Sequence, residues 1–312
     1  MRVTWIKALA LIAALGQTVN GAAMADQDLS YETWCIGRHL VEVPARFEVL
    51  ENFGTLNAMQ IEVLGAGDQE TLDRLVTDRA DALEAGRVED DGALMAYRGR
   101  YRDSEVQVVA HELDFGQDPG TSFTWSEEAY VLRDRMMMRV TQVLSEDEED
   151  GPRAQLLELA RNVVPRSRKG APKRAGACLP DALATVPHTT EAHGMTFAPG
   201  DADGAPVGLE ITILSRSPED PPLDPEMPRG SAPEPLSLAG LEGRMVQEPD
   251  RFGPSRIAVL AREARADQPA VRVEFSYYDQ RAEPGAEPYT EAYVQTLWSH
   301  LLTTFRATDG AR

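Results

Sequence analysis

Cysteine is almost missing: the 312-residue chain holds two, Cys35 and Cys178. Two thiols exclude a disulfide framework and a four-thiolate zinc site, and leave either one bridge or two free thiols. Aromatic residues are sparse at 6%. No apolar run reaches the roughly 20 residues that a spanning helix needs, so no membrane span is expected. Basic residues are the minority, 31 against 51 acidic ones, for a formal charge of −20. A nucleic-acid partner gripped through its phosphates is excluded by repulsion. Missing too are the Gly-x-Ser-x-Gly elbow, the His-Glu-x-x-His helix, the Walker loop and the Rossmann glycine fingerprint. No catalytic residue, cofactor or metal is therefore assigned, and the chain is not expected to be an enzyme.

What is present is globular, with 42% hydrophobic and 26% charged residues, at a length that suits two domains. Residues 1–25 read as a secretory signal: Arg2 and Lys7, a short apolar run over 8–15, then the small-residue box Ala23-Met24-Ala25 with cleavage near Ala25. The first cysteine follows Glu32-Thr33-Trp34 rather than a small-residue box, which argues against a lipid anchor. Loss of two basic residues with the leader takes the net charge to −22. An exported chain also meets an oxidising compartment, in which a Cys35–Cys178 bridge is chemically permissible.

The tract Pro165-Arg166-Ser167-Arg168-Lys169-Gly170-Ala171-Pro172-Lys173-Arg174 has no apolar periodicity and marks the domain boundary. It reads as a solvated linker kept open by charge repulsion, with contact to an acidic partner as the lesser reading. The expected division is residues 26–165, a linker at 166–175, and residues 176–312. In the first half, 35–43 alternate as one strand ending at Pro44, and 59–64 form another. Leu72, Leu75, Val76, Ala80 and Leu83 then recur at helical spacing between Asp68, a cap, and Gly86. Residues 93–101, 105–113, 123–132 and 136–144 follow as successive antiparallel strands, and a helix begins near Pro152 and stops at Pro165. The second half runs similarly: 178–187 is spaced like 35–44, 209–214 like 59–64, with strands over 256–265 and 270–278 and a helix after Pro288. Residues 217–235, rich in proline, replace the first half's helix with an extended loop. The fold class is therefore α+β: two similar domains, each a mainly antiparallel sheet with packed helices.

Candidate ligands are few. His188 and His193 lie five apart on an expected loop and can be drawn with Cys178 as a metal set, but spacing this loose arises by chance. His111 and Glu112 are neighbours on a strand and point to opposite faces. Asp201-Ala202-Asp203-Gly204 lacks the third acid of a calcium loop, the acidic run 146–150 suits the helix start that follows it, and Met136-Met137-Met138 reads as core filling.

One segment is specific. Cys35-Ile36-Gly37-Arg38-His39-Leu40-Val41-Glu42-Val43-Pro44, just after a signal peptide, resembles the opening of the immunity proteins that neutralise type VI secretion lipase effectors of the fourth class. The second cysteine opening the second half and the Gly-containing strand 238–243 agree with that layout, whereas Cys178-Leu179-Pro180-Asp181 departs from the Gly-rich continuation expected there. The resemblance implies a periplasmic protein whose two domains clamp a cognate lipase or phospholipase and keep its lid shut. Cys35, Gly37, Arg38 and Pro44 are read as structural, with the partner-binding residues elsewhere. The alternative from another class is a periplasmic module that binds a small ligand or lipid in the cleft between the halves.

Overall fold

The computed structural model describes residues 30–86, 89–90, 93–114, 124–145, 150–187, 190–199, 207–216, 234–250, 253–262, 269–279 and 291–308. The signal segment, the acidic residues 146–149, His188, Asp201 to Gly204 and the proline-rich residues 217–233 lie outside them.

The chain opens with a hairpin, β1 (Tyr31–Ile36) and β2 (His39–Pro44), where a single strand is expected over 35–43. Gly37 breaks that strand because it sits at φ +55°, in the left-handed region that side chains avoid. Next come β3 (Phe47–Leu56) and β4 (Met59–Ala66), helix α1 (Gln69–Glu84), and the strands β5 (Glu89–Asp90), β6 (Ala93–Asp103), β7 (Val106–Asp114), β8 (Thr124–Arg133) and β9 (Met136–Ser145). Helix α2 (Asp150–Asn162) leads directly into β10 (Val163–Pro165). The second half holds β11 (Ala177–Cys178), β12 (Ala182–Ala184), β13 (Glu191–Pro199), β14 (Val207–Arg216), β15 (Glu234–Leu238), β16 (Leu241–Asp250), β17 (Gly253–Arg262), β18 (Ala270–Asp279), helix α3 (Glu291–Thr304) and β19 (Arg306–Ala307).

Helix α1 forms where its pattern places it. The Asp68 carboxylate accepts the Thr71 amide at 2.9 Å, and Leu72, Val76, Ala80 and Leu83 form its buried stripe. Three tight hairpins, β3–β4, β8–β9 and β15–β16, turn on residue pairs with positive φ: Asn57-Ala58, Asp134-Arg135 and Ala239-Gly240. That geometry matches the twist of paired strands.

All the long strands join one antiparallel sheet of 13 strands, ordered β15-β16-β17-β18-β14-β13-β3-β4-β9-β8-β7-β6-β5. Read outward from the β3/β13 pair, the two halves of the chain supply corresponding strands. Two small sheets repeat the correspondence: β1-β2-β19 and β11-β12-β10 each combine a cysteine-bearing hairpin with the strand that follows a helix. The pairings Cys35↔Leu40 and Cys178↔Leu183 have the same spacing.

The hairpins are exchanged between the halves. Trp34, Ile36, Val41 and Val43 of the first hairpin, with Phe47 of β3, share a core with β13, β14, β18 and Leu297, Leu301 and Phe305 of the α3 end. Ala177, Leu179, Ala182 and Ala184 of the second hairpin instead pack with Leu156 and Leu159 of α2 and with Val108, Val131 and Val140 of the first half's strands. Both cores lie on one face of the sheet. Helix α1 covers β6–β8 on the other face through a third core containing Leu72, Val76, Val109 and Tyr130. Met137 and Met138 enter different cores on opposite faces of β9. No described helix is long and apolar enough to cross a membrane.

Candidate partner-binding face

The opening motif lies at the junction of the exchanged hairpins. Cys35 and Cys178 are joined by a disulfide with Cα atoms 5.8 Å apart. Beside it, the Gly37 amide donates to the Cys178 carbonyl at 3.0 Å and the Cys178 amide to the Gly37 carbonyl at 2.6 Å. Arg38 is buried. Its Nε donates to Glu191 Oε1 at 2.7 Å, and its Nη2 donates to the carbonyls of Val186 and Pro187 at 3.0 and 2.9 Å. The Glu191 Oε2 meets His193 Nε2 at 3.2 Å. Burial pushes the Glu191 carboxyl up, but the His193 hydrogen bond and the Arg38 charge outweigh it, and the net shift is downward. A Cβ on Gly37 would stand 2.5 Å from the His193 ring, so glycine is required there by contact as well as by φ. Pro44 ends β2 opposite Tyr31. Cys35, Gly37, Arg38 and Pro44 are thus engaged in a disulfide, in backbone pairing or in a buried ion pair.

This geometry also disposes of the metal set drawn from Cys178, His188 and His193. Cys178 sulfur is spent in the disulfide. His193 is not on a loop but in β13, where Glu191 holds its ring. No group of three potential ligands forms among the described residues. His111 and Glu112 point to opposite faces: His111 is buried and contacts Glu128 at 3.2 Å, while half-exposed Glu112 pairs with Arg98.

The sheet parts between β3 and β4. These strands pair only at Thr55↔Gln60 and Leu56↔Met59, whereas β3 pairs with β13 along its length and β4 with β9. Leu56 faces Met59 across the turn, so Gly54 and Asn52 turn their backbone N–H and C=O groups the same way, and Ile61 and Val63 answer from β4. Among the described residues no further strand satisfies either edge. The seam is thus a wedge bordered by two open edges, features that folded proteins ordinarily cover.

Its rim is apolar and acidic. Leu50, the extra residue of a β3 bulge, is 62% exposed, and Phe53 is 50% exposed with its ring laid over Gly194 of the neighbouring strand. Val143 of β9, 58% exposed, stands beyond the seam toward the hairpin turn. These are the large hydrophobic side chains exposed among the described residues. Glu48 and Glu51 lie on either side of Leu50 with no ion-pair partner among the described residues, while Glu62 across the seam pairs with Arg139 at 2.5 Å. Such a surface suits an extended segment that adds as a strand, places apolar side chains on Phe53 and Leu50, and carries positive charge. The strand β3 escapes sequence analysis because Glu48, Glu51, Asn52 and Gly54 interrupt its alternation; the one signal is a run of Phe, Val, Leu and Phe at positions 47, 49, 50 and 53.

Known proteins agree with this architecture. Residues 32–166 match the family model described as the Tle cognate immunity protein 4 N-terminal domain. No curated protein sequence matches. Among solved structures, the apo immunity protein TplEi of the T6SS of Pseudomonas aeruginosa superposes with a TM-score of 0.64 at 17% identity, over 90% of this chain and 98% of that one. A chain in the crystal structure of the Tle4–Tli4 complex gives 0.65 at 16% identity, over 90% and 99%. TplEi complexed with an "L" peptide gives 0.61 at 15%, again over 90% and 99%. At such identities these structures establish a shared fold, and the likeness in sequence is confined to residues 32–166. Over residues 32–166, the chain is similar in sequence to the N-terminal domain of the Tle cognate immunity protein 4 family.

Proposed function

We propose that the protein is a periplasmic immunity protein that binds a cognate T6SS lipase effector and catalyses no reaction of its own. The family match over residues 32–166 carries this reading. The fold seen in the Tle4–Tli4 complex supports it. The halves 26–165 and 176–312, joined by 166–175, act as the arms of a clamp whose exchanged hairpins fix them to each other. The effector engages the seam between β3 and β4, adding backbone hydrogen bonds to the open edges, and the clamp keeps its lid from opening onto lipid. The leader is removed near Ala25. Cys35, Gly37, Arg38 and Pro44 maintain the frame and leave the effector to other residues. As for the ligand-binding alternative, the cavity lined by Leu56, Met59 and Leu159 measures about 220 Å3, below the roughly 300–1,000 Å3 of small-molecule sites, and a larger one of about 490 Å3 is lined chiefly by the basic tract rather than by an apolar cleft.

The test is to titrate the purified mature chain into the lipase encoded beside it and follow phospholipid hydrolysis. Loss of activity that is complete near one equivalent supports the reading. Undiminished hydrolysis, or ester turnover by the chain alone, overturns it.

A further inference from the structure

The basic tract does no more in that reading than join the halves. It is not the open, self-repelling linker that its composition suggests, because hydrogen bonds wrap it onto the frame. The Arg166 amide donates to the Asp181 carbonyl at 2.9 Å and the Gly170 amide to the Thr33 carbonyl at 2.8 Å. Arg166 Nη2 donates to the carbonyls of Arg168 and Gly170 at 3.2 and 3.0 Å. Arg168 forks onto the Asp181 carboxylate with two bonds of 2.6 Å.

The wrap encloses a cavity of about 490 Å3 lined by Arg166, Lys169, Lys173 and Arg174, with Asp134 as the carboxylate in its wall. Lys169 is already paired with Glu32 at 2.5 Å. Lys173 and Arg174 are exposed and have no carboxylate within ion-pair reach among the described residues. Arg166 Nη1 is buried without a hydrogen-bond partner. A buried guanidinium N–H left unmade is costly. Burial also pulls the Arg166 pKa down against the opposing charge of Asp181, so a negative guest stabilises its charged form. In a chain of net charge −20, this hollow has the opposite sign to the whole.

We propose that the cavity binds a phosphate-type oxyanion, with Arg166 as the fixed donor and Lys173 and Arg174 as the mobile charges that close on it. Guanidinium and ammonium donors around a concave site are the chemistry that recognises phosphate. Inorganic phosphate and the headgroup of a phospholipid share that group.

The test uses the mature chain and its Lys173→Glu/Arg174→Glu variant, whose exposed positions leave the fold intact as checked by melting in chloride. Inorganic phosphate is titrated by calorimetry and by melting, against chloride at equal ionic strength. Phosphate is expected to raise the melting temperature by about 2 °C or more beyond chloride, and the variant to bind at least about tenfold more weakly. An equal rise in chloride, or an unchanged phosphate response in the variant, overturns the site. Flotation with phosphatidylglycerol vesicles but not phosphatidylcholine, lost in the variant and competed by phosphate, identifies the headgroup as the source. Phosphate binding without flotation identifies the free ion. Absence of both phosphate binding and flotation overturns the proposal.

Discussion

Glu128 concentrates more buried charge chemistry than any other described carboxylate. It receives Arg79 Nε at 3.0 Å and the Tyr130 hydroxyl at 2.5 Å, and meets His111 Nε2 at 3.2 Å. Burial raises its pKa, yet the hydrogen bonds from His111, Arg79 and Tyr130 outweigh burial and hold it well below the usual range. A carboxyl whose folded pKa is depressed contributes stability that is complete above its unfolded value near 4.3 and fades as pH falls below that. Glu128→Gln is therefore expected to cost about 3 kcal/mol in urea unfolding at pH 7, because it strands buried donors. The gap from the parent should narrow at pH 3.5; an equal gap at both pH values would contradict this account. At the hairpin junction, Gly37→Ala is expected to lose about 2 kcal/mol or more, since the methyl meets the His193 ring and the φ of +55° disfavours it. Sequence reading singled out Gly37 and Arg38, and drew His193 on a loop as a candidate ligand, but had no route to Glu191, because the Arg38–Glu191 pair spans 153 positions. The same buried polar pair breaks the apolar alternation of β13 and makes that strand look like a loop.

Helix α1 was legible because one surface decides it: a capping aspartate, a stripe at helical spacing and a glycine at the end. The four strands β6 to β9 were legible because each alternates and turns on polar residues. Strand β3 was not, since its role is to present an edge rather than to fill a core. Its open side supplies a direct test. Asn52→Pro removes an N–H that points into the seam, which an edge strand tolerates, whereas Asn52→Ala keeps it. The proline variant is expected to inhibit the effector at least about tenfold more weakly than the alanine variant, with melting temperatures alike within about 2 °C. Equal inhibition by the two places the effector elsewhere. Phe53→Ser should weaken the complex mainly by faster dissociation, as seen in surface-captured kinetics, because it removes an apolar anchor.

For the molecule as a whole, the disulfide closes 143 positions of chain. In the chain-entropy view a loop of that length is worth about 5 kcal/mol, and measured gains reach about 2–5. Cys35→Ser/Cys178→Ser should unfold at clearly lower denaturant, and a non-reducing peptide map of the parent should show one linked pair; two alkylated thiols would reject the bridge. The net charge of −20 should make association with a basic effector face fall as salt rises, with dissociation little changed. Composition announced that charge, but it could not announce the exchange of hairpins, which depends on contacts between the first strands and the last helix. That exchange bears on how such a gene can diversify. A recombination crossover in the basic tract would graft a foreign second half onto a hairpin that evolved for another core, while the donor's own hairpin stayed behind. Shuffling whole halves between relatives is therefore closed as a route to new specificity. On the proposed function, adaptation to a changing toxin then runs through single substitutions on the exposed rim, one side chain at a time.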